Sequence, residues 1–245
     1  MRYKITLQYD GGNYHGWQAQ PHEPMTLQRV VEDSVEKVLG ERVVVTASGR
    51  TDEGVHALGQ VAHFDGDKEL ASERMLCALN HWLPDDVRVT ACEVVGEDFN
   101  ARKSAKRKTY AYRMYEGELP NPLRRTRETF VGRVDVGLMN EVAKEFVGVR
   151  DLSAFRSSGS SAKTTVREIY SATVLREGDS IVFRVCGNGF LYNTVRIMAG
   201  ALIRIGQGRS SPEVVRKALS TGNRALVPDI APSNGLYLVS VEYDV

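Results

Sequence analysis

An aspartate near an arginine, in a loop bounded by glycines, is the feature of this sequence best suited to chemistry. Residues 48–56 read Ser-Gly-Arg-Thr-Asp-Glu-Gly-Val-His and place Asp52 two positions after Arg50. Gly49 and Gly54 permit backbone angles that other residues resist, and they leave room for another molecule to approach closely. A nearby cation keeps a carboxylate ionised, as a nucleophile or a general base requires. An ordinary hairpin loop with a surface ion pair is the alternative interpretation of the same residues.

Apolar segments on both sides of the loop predict the strands that position it. Val43–Val45 precede the loop, and the Val-Ala-His-Phe run at 61–64 follows it. Alternating apolar residues predict a strand over 3–9, and Val87–Val95 reads as another. Helical spacing predicts a helix after a Thr26 cap, ending at Gly40, and a second helix from Ser72 to Pro84. This β-α-β-β-α-β order is that of the split βαβ, or ferredoxin-like, motif.

The second half of the chain repeats that order without repeating the sequence. Its predicted strands cover 108–115, 166–175, 181–186 and 236–243, and its predicted helices follow Asp135 and cover 191–205 and 213–219. We therefore predict two domains, 1–103 and 104–245. Residues 116–130 and 150–164 fit neither repeat, and their polar, basic or Ser/Gly-rich composition predicts mobile loops.

The composition is that of a soluble globular protein, with 42% hydrophobic and 26% charged residues. The apolar runs are too short for a membrane span, and no leader pattern opens the chain, so we expect neither. The cysteines, which are odd in number and widely separated, favour a reducing cytoplasm over a disulfide framework: Cys77, Cys92 and Cys186. His56 and His63 have no ligand partners at metal spacing, so we expect no metal site.

Charge is distributed unevenly along a chain whose net charge is only +1. Between Arg102 and Arg133 there are ten basic and three acidic residues, a segment that we call the basic band. Within it, Lys106, Arg107 and Arg125 are candidate contacts for a phosphate backbone. A solvated surface linker would give the same charge count.

Several motifs, spread in order over nearly the whole chain, resemble those of the tRNA pseudouridine synthase A family. The most specific is Gly-Arg-Thr-Asp-Glu-Gly-Val-His-Ala at 49–57. The others are Tyr-Asp-Gly-Gly at 9–12, Gly-Trp-Gln-Ala-Gln at 16–20, Arg-Lys-Thr-Tyr-Ala-Tyr-Arg at 107–113, Gly-Phe-Leu at 189–191 with Val195-Arg196, and Ala-Pro-Ser-Asn-Gly-Leu at 231–236. No catalytic position departs from the family pattern.

The resemblance implies a fold and a reaction. It implies an α+β protein in which two ferredoxin-like halves form one extended, mostly antiparallel sheet, with helices on one face and the active-site cleft between the halves. It also implies isomerisation of uridine to pseudouridine in the anticodon stem-loop of tRNA by a homodimer. That reaction requires no cofactor. Asp52 is then the essential carboxylate, whether it adds to the sugar, adds to the base or promotes elimination.

The resemblance also assigns substrate contacts that the residues alone leave open. Arg196 lies on a helix, away from its apolar stripe, where it could pair with Asp52 or form only a surface salt bridge. Arg50 could pair with Asp52 or contact RNA. Tyr110 occupies the family's tyrosine position and could stack on an extruded uracil, although a core tyrosine is the alternative. Leu236 could pack against the other face of the base.

Two other functions fit parts of the pattern. A non-catalytic RNA-binding protein could be built from ferredoxin-like halves, but binding alone does not require the aspartate with its arginines. A glycoside hydrolase could use Asp52, but that chemistry normally employs two carboxylates. Glu53 is adjacent in sequence, and we expect it to point elsewhere.

Overall fold

Ten strands and five α-helices form in the part of the chain that the structure describes. The computed structural model describes residues 1–23, 25–159 and 162–244. The first six elements are β1 Arg2–Tyr9, α1 Leu27–Leu39, β2 Thr46–Ala47, β3 His56–Asp65, α2 Ser72–Trp82 and β4 Val87–Val95. The remaining nine are β5 Ala105–Tyr115, β6 Thr129–Phe130, α3 Val136–Ala143, β7 Gly148–Asp151, β8 Val166–Glu177, β9 Ser180–Gly187, α4 Thr194–Gly206, α5 Glu213–Thr221 and β10 Leu236–Tyr243. The predicted α+β class is confirmed.

The chain divides into two compact units. The first contains Met1–Lys106 together with the chain from Leu238 on, and the second contains Arg107–Tyr237. The predicted domains 1–103 and 104–245 instead keep the whole of β10 with the second half. That division into two domains stays a prediction.

The first unit has the strand order of a ferredoxin-like motif. β1 is antiparallel to both β3 and β4, so that Ile5 lies opposite Ala62 on one side and Cys92 on the other. β2 and β10 also pair with β3. Because β1 pairs along nearly the whole of β3, these two strands lie at its other edge. The order β4-β1-β3-β2 is thus the one that the β-α-β-β-α-β pattern predicts.

Alternation along β1 builds the core of this unit. Tyr3, Ile5 and Leu7 are fully buried, whereas the residues between them are partly exposed. Val35 on α1 and Leu79 on α2 are likewise fully buried, and the two helices contact each other. Removing such a side chain from water contributes roughly 1.5–3 kcal/mol.

The ends of α1 agree with the prediction, but its capping does not. Gly40 ends the helix in the left-handed region at φ 84°, and its amide donates to the Glu36 carbonyl. Thr26 stands at the N-cap position with an extended backbone. However, its buried hydroxyl makes no hydrogen bond within the described residues, so the predicted side-chain cap is wrong.

The strand predicted at Val43–Val45 is also displaced. β2 begins only at Thr46, and Val44 is 73% exposed. The amide of Val45 donates to Glu32 Oε1 on α1 (3.0 Å) and not to a neighbouring strand. A polar side chain of the helix has therefore replaced the ladder bond that a longer strand would make.

The second unit contributes four antiparallel strands of the sheet, covered by helices. Its strand order is β5-β9-β8-β7, and β6 pairs with β5 in parallel. α3 contacts both β8 and α4. Asp135 caps α3 as predicted, accepting from the Leu138 amide at 2.9 Å. None of the described helices is both long and apolar enough to cross a bilayer.

Two segments expected to be loops contain regular structure. Residues 116–130 end in β6, and residues 150–164 include the end of β7 and a 3₁₀ turn at Ser153–Phe155. Alternation is not recognisable in strands of two to four residues, which explains why the sequence pattern missed them. Ser160 and Ser161, part of the second predicted loop, lie outside the described residues.

Candidate active site

Asp52 lies in the loop between β2 and β3, in the first unit. The loop begins at Ser48, whose amide donates to the Val61 carbonyl on β3 at 2.7 Å. It turns back at Gly54, where φ is 75°, and the Val55 amide donates to the Asp52 carbonyl at 3.1 Å. The Asp52 side chain is half-buried. The chain therefore presents this carboxylate at a tight turn, without a strand or helix at that position.

A second segment of the same unit, residues 10–17, packs directly on this loop; we call it the bracing segment. The Trp17 amide donates to the Thr51 carbonyl at 2.9 Å, and the Gly54 amide donates to the Tyr14 carbonyl at 3.3 Å. These two bonds lie on either side of Asp52. The backbone of the loop is thus held before and after the carboxylate.

The approach of the two segments is so close that it requires glycine. A Cβ atom on Gly11 would lie 1.9 Å from the carbonyl oxygen of Val55. One on Gly16 would lie 2.8 Å from the carbonyl oxygen of Thr51, and Gly16 also has a positive φ of 81°. In the sequence these two glycines are only parts of matching motifs. The structure gives a steric reason for glycine at both positions.

His56 is buried at the start of β3, where the Asp52 loop ends. Its Nδ1 lies 3.1 Å from the amide nitrogen of Gly11 and 2.9 Å from Oδ1 of Asp10. The imidazole therefore contacts the bracing segment at two points. This arrangement gives the buried histidine a structural partner.

Buried polar side chains on β1 and β3 hold the other parts of the loop. The hydroxyl groups of Tyr9 and Thr51 hydrogen-bond at 2.8 Å. Gln60 accepts from the Ser48 hydroxyl (2.8 Å) and donates to the Gly49 carbonyl (2.9 Å). Burial raises the pKa of the Tyr9 hydroxyl, an effect that its hydrogen bonds to Thr51 and Gln60 only partly oppose. Tyr9 is therefore a neutral hydroxyl group at physiological pH.

The charged neighbours of Asp52 in the sequence point in different directions. Arg50 is exposed, and its side chain makes no hydrogen bond or ion pair within the described residues, so the pairing with Asp52 that the sequence left open is absent there. The Glu53 side chain is 72% exposed and lies 3.5 Å from Nδ1 of His15. Glu53 is therefore turned toward the bracing segment.

In the second unit, Tyr110 lies on β5 opposite Val185 of β9. The residue is 9% exposed, and its ring meets Phe190 edge to face with 5.2 Å between centroids. Phe190 belongs to the segment that leads into α4. This contact ties the predicted stacking residue to the helix that carries Arg196.

Arg196 lies in the first turn of α4 and is held by irregular chain. Its Nε donates to the Ala231 carbonyl (2.8 Å) and its Nη1 to Oδ1 of Asn193 (3.0 Å). Asn193 has a φ of 62°, the only positive value at a non-glycine position among the described residues. Its amide group also donates to the Ser157 hydroxyl at 3.0 Å. A residue in the left-handed conformation thus orients this arginine.

Leu236, which is 6% exposed, begins β10 directly after a 3₁₀ turn at Ser233–Gly235. A Cβ on Gly235 would lie 2.9 Å from Cζ of Tyr112. Tyr112 in turn forms a hydrogen bond with the Thr129 hydroxyl. Burial raises the pKa of Tyr112, an effect that this bond and the charge of Arg196 only partly oppose. Within the second unit, Tyr112 therefore connects the surroundings of Arg196 to those of Leu236.

Several cations of the basic band already contact other side chains of the protein. Lys106 pairs with Asp244 at 2.8 Å, and the guanidinium of Arg107 lies over the Tyr170 ring, 4.8 Å from its centroid. Glu128 pairs with two other members of the band, Arg113 and Arg124. Arg125 is exposed. Of the three candidate RNA contacts, Lys106 and Arg107 thus already have a partner on the surface.

No group of three or more potential metal ligands occurs among the described residues. A cavity of about 470 Å³ in the first unit is lined by side chains that include Tyr14, Asp33, Lys37 and Trp82. It contains none of the candidate site residues. The candidate site is therefore identified by its loops and not by this cavity.

Sequence reasoning missed several residues that the structure places around the candidates. The sequence assigns no role to Tyr9, Gln60 or Asn193. Tyr9 and Gln60 hydrogen-bond residues of the Asp52 loop, Thr51 among them, and Asn193 accepts a hydrogen bond from Arg196. The available signal was a glutamine in the otherwise apolar stretch 57–62 of β3. A buried polar residue of this kind requires hydrogen-bond partners.

The close approach at Gly16 predicts an effect of substitution there. Gly16→Ala and the control Gly40→Ala both place alanine at a φ above 80°, a strain of roughly 1–3 kcal/mol in each. A Cβ on Gly40 meets no heavy atom of the described chain within 4 Å, whereas one on Gly16 overlaps the Asp52 loop. Urea unfolding should therefore show Gly16→Ala to be less stable than Gly40→Ala by at least about 1 kcal/mol. Equal losses would contradict the packing described above.

Comparison with known proteins places the chain in a family. Residues 5–102 and 142–244 match the family described as tRNA pseudouridine synthase. The tRNA pseudouridine synthase A of Limosilactobacillus fermentum is 46% identical, over 99% of this chain and 96% of the relative. That of Acetivibrio thermocellus is 42% identical over 98% of both chains. That of Geotalea uraniireducens is 43% identical, again over 98% of both. With matches over most of its length, the chain belongs to the tRNA pseudouridine synthase family.

Proposed function

We propose that this chain converts uridine to pseudouridine in the anticodon stem-loop of tRNA, with Asp52 as the catalytic carboxylate. Membership of the family supports isomerisation of a tRNA uridine. The main support for the role of Asp52 is the conformation of its loop. The carboxylate is half-buried at a turn whose backbone is hydrogen-bonded before and after it. Such fixed presentation suits a group that must meet one carbon atom of a substrate.

The proposed reaction requires the protein mainly to position the reacting groups and to supply charge. The bond from uracil N1 to the ribose carbon C1′ breaks, the base turns, and a bond forms from C5 to the same carbon. C5 loses its hydrogen as a proton, and N1 gains a proton. The base is neither oxidised nor reduced, and no group leaves the nucleotide. A carboxylate beside C1′, a means to hold the loosened base and a route for protons are sufficient.

The candidate residues of the second unit suit the task of holding the base. Tyr110 offers an aromatic ring whose edge-to-face contact with Phe190 fixes its plane, and stacking on a base contributes roughly 1–3 kcal/mol. Leu236 supplies an apolar contact for the opposite face. Arg196 supplies a positive charge, of the kind that keeps a carboxylate ionised when substrate excludes water. Arg50, exposed beside Asp52, is suited to a phosphate or base of the RNA.

The competing functions fit the residues less well. Glycoside hydrolysis needs a second carboxylate on the far side of the bond, and Glu53 is turned to His15 instead. A non-catalytic RNA-binding protein would not need a half-buried aspartate on a braced turn. Both alternatives also depart from the family to which the chain belongs.

The proposal includes a homodimer in the cytoplasm. All three cysteines are free thiols, which suits a reducing compartment: Cys77, Cys92 and Cys186. A dimer would let one tRNA contact two subunits. Neither statement is needed for the chemistry above.

The proposed role of Asp52 predicts that Asp52→Asn abolishes turnover while preserving RNA binding. Asparagine keeps the shape of the side chain but not its negative charge or nucleophilicity. We expect the pseudouridine content of a target tRNA, measured by nucleoside chromatography, to form at least about a hundredfold more slowly. The dissociation constant for tRNA should change less than about threefold.

Glu53→Gln is the matched control, because it removes the neighbouring carboxylate and the same unit of charge. Its turnover should stay within about twofold of the unchanged protein. Near-normal turnover in Asp52→Asn, or equal losses in both variants, would contradict the assignment of Asp52.

The basic band predicts a salt-dependent contribution to RNA affinity. Replacing Lys106, Arg107 and Arg125 together with alanine should lower affinity for target and non-target tRNA alike, because binding to phosphates carries no sequence information. Each side chain that no longer neutralises a phosphate should flatten the plot of log affinity against log salt by roughly 0.7–0.9. We therefore expect the slope, measured by filter binding at several salt concentrations, to flatten by about two units.

A control triple variant separates local contacts from net charge. Replacing Arg42, Lys144 and Arg216 with alanine also removes three positive charges, but all three residues lie outside the basic band and are paired with carboxylates there. The slope for this control should be unchanged. The same slope in both triple variants would show that the band is an ordinary solvated surface.

A further inference from the structure

Buried polar side chains beneath the Asp52 loop have no part in the chemistry described above. Tyr9 on β1 is 5% exposed, and Gln60 on β3 is fully buried. Burying a hydroxyl or an amide is unfavourable unless it is hydrogen-bonded. What these two groups bind is therefore informative about why they are present.

Both side chains bind the Asp52 loop, on the stretch that leads to the aspartate. Gln60 holds the entrance of the loop through the Ser48 hydroxyl and the Gly49 carbonyl. Tyr9 holds the Thr51 hydroxyl, one residue before Asp52. The two are also near each other, with 3.5 Å between Nε2 of Gln60 and the Tyr9 hydroxyl oxygen. They form one polar network that fixes three of the four residues leading to Asp52.

The Tyr9 ring also makes a packing contact that does not involve its hydroxyl. The ring lies against Trp17 of the bracing segment, with 6.2 Å between centroids. Tyr9→Phe would keep this packing and remove only the hydroxyl and its hydrogen bonds. The contribution of the hydroxyl can therefore be separated from that of the core.

We propose that Tyr9 and Gln60 are positioning residues, which hold Asp52 at the reacting ribose carbon through Thr51, Ser48 and Gly49. The inference rests on the proposed catalytic role of Asp52. Neither side chain needs to touch the RNA. A displacement of about 1 Å at a reacting group can cost about a hundredfold in rate, so a relaxed loop lowers turnover without weakening RNA binding.

Tyr9→Phe is the first test, with Tyr3→Phe as its control. Tyr3 lies on the same strand and the same buried face, and its hydroxyl accepts from the Leu70 amide at 2.8 Å, remote from the Asp52 loop in the sheet. At saturating tRNA, the single-turnover rate of Tyr9→Phe should fall at least about tenfold, with tRNA affinity within about twofold. Tyr3→Phe should lose a similar amount of thermal stability and keep its rate.

Thr51 gives a second test that leaves both Tyr9 and Gln60 unchanged. Thr51→Ser retains the hydroxyl that meets Tyr9, whereas Thr51→Val retains the shape without it. Turnover by Thr51→Ser should be at least about tenfold faster than by Thr51→Val. This pair decides the question if Tyr9→Phe does not fold.

The outcomes separate this inference from the function on which it rests. Asp52→Asn, assayed in parallel, must be inactive; if it is active, both are overturned. If it is inactive while Tyr9→Phe and Thr51→Val turn over at normal rates, only the positioning role is overturned. Equal rate losses in Tyr9→Phe and Tyr3→Phe would reduce the network to a contribution to stability, and would also overturn it.

Discussion

The packing of residues 10–17 on the Asp52 loop is the constraint on which the position of Asp52 depends. A carboxylate at a tight turn has no strand or helix to hold its backbone, so other groups must satisfy the polar atoms there. The amides of Trp17 and Gly54 make the crossing bonds, and Gly11 and Gly16 permit the approach. The ferredoxin-like sheet serves as the rigid base to which both segments are attached.

In the second unit, irregular backbone likewise holds a candidate site residue in place. Arg196 is oriented by the backbone carbonyl of Ala231 and by Asn193, a residue in a left-handed conformation. Leu236 follows a glycine that is packed against Tyr112. Asp52 lies in a loop, and Arg196 and Leu236 lie near the starts of regular elements. Hydrogen bonds with irregular backbone hold the Asp52 loop and the Arg196 side chain. Loops held in this way can carry function without being mobile.

The regular elements could be predicted from the sequence because their periodicity is long and clear. The sequence predicts the strand Val87–Val95 and the helix that ends before Gly40 with the bounds that the structure has. Val43–Val45 misled because β-branched residues predict a strand, whereas the backbone there is held by Glu32. The sequence motifs identify the candidate residues, but they do not predict which side chains hold those residues in place. Tyr9 and Gln60 meet the loop of Asp52 only after the chain has folded, and no local pattern encodes that meeting.

Amide hydrogen exchange at Trp17 and Gly54, in the protein without RNA, tests most directly whether the Asp52 loop is held in place before substrate arrives. Both amides donate across the two segments, so we predict exchange at least about a hundredfold slower than in an unstructured chain. Binding of tRNA should change these rates little. Exchange at unstructured rates in the free protein, slowing only when tRNA is added, would contradict a preformed loop, because the RNA and not the fold would then position the aspartate.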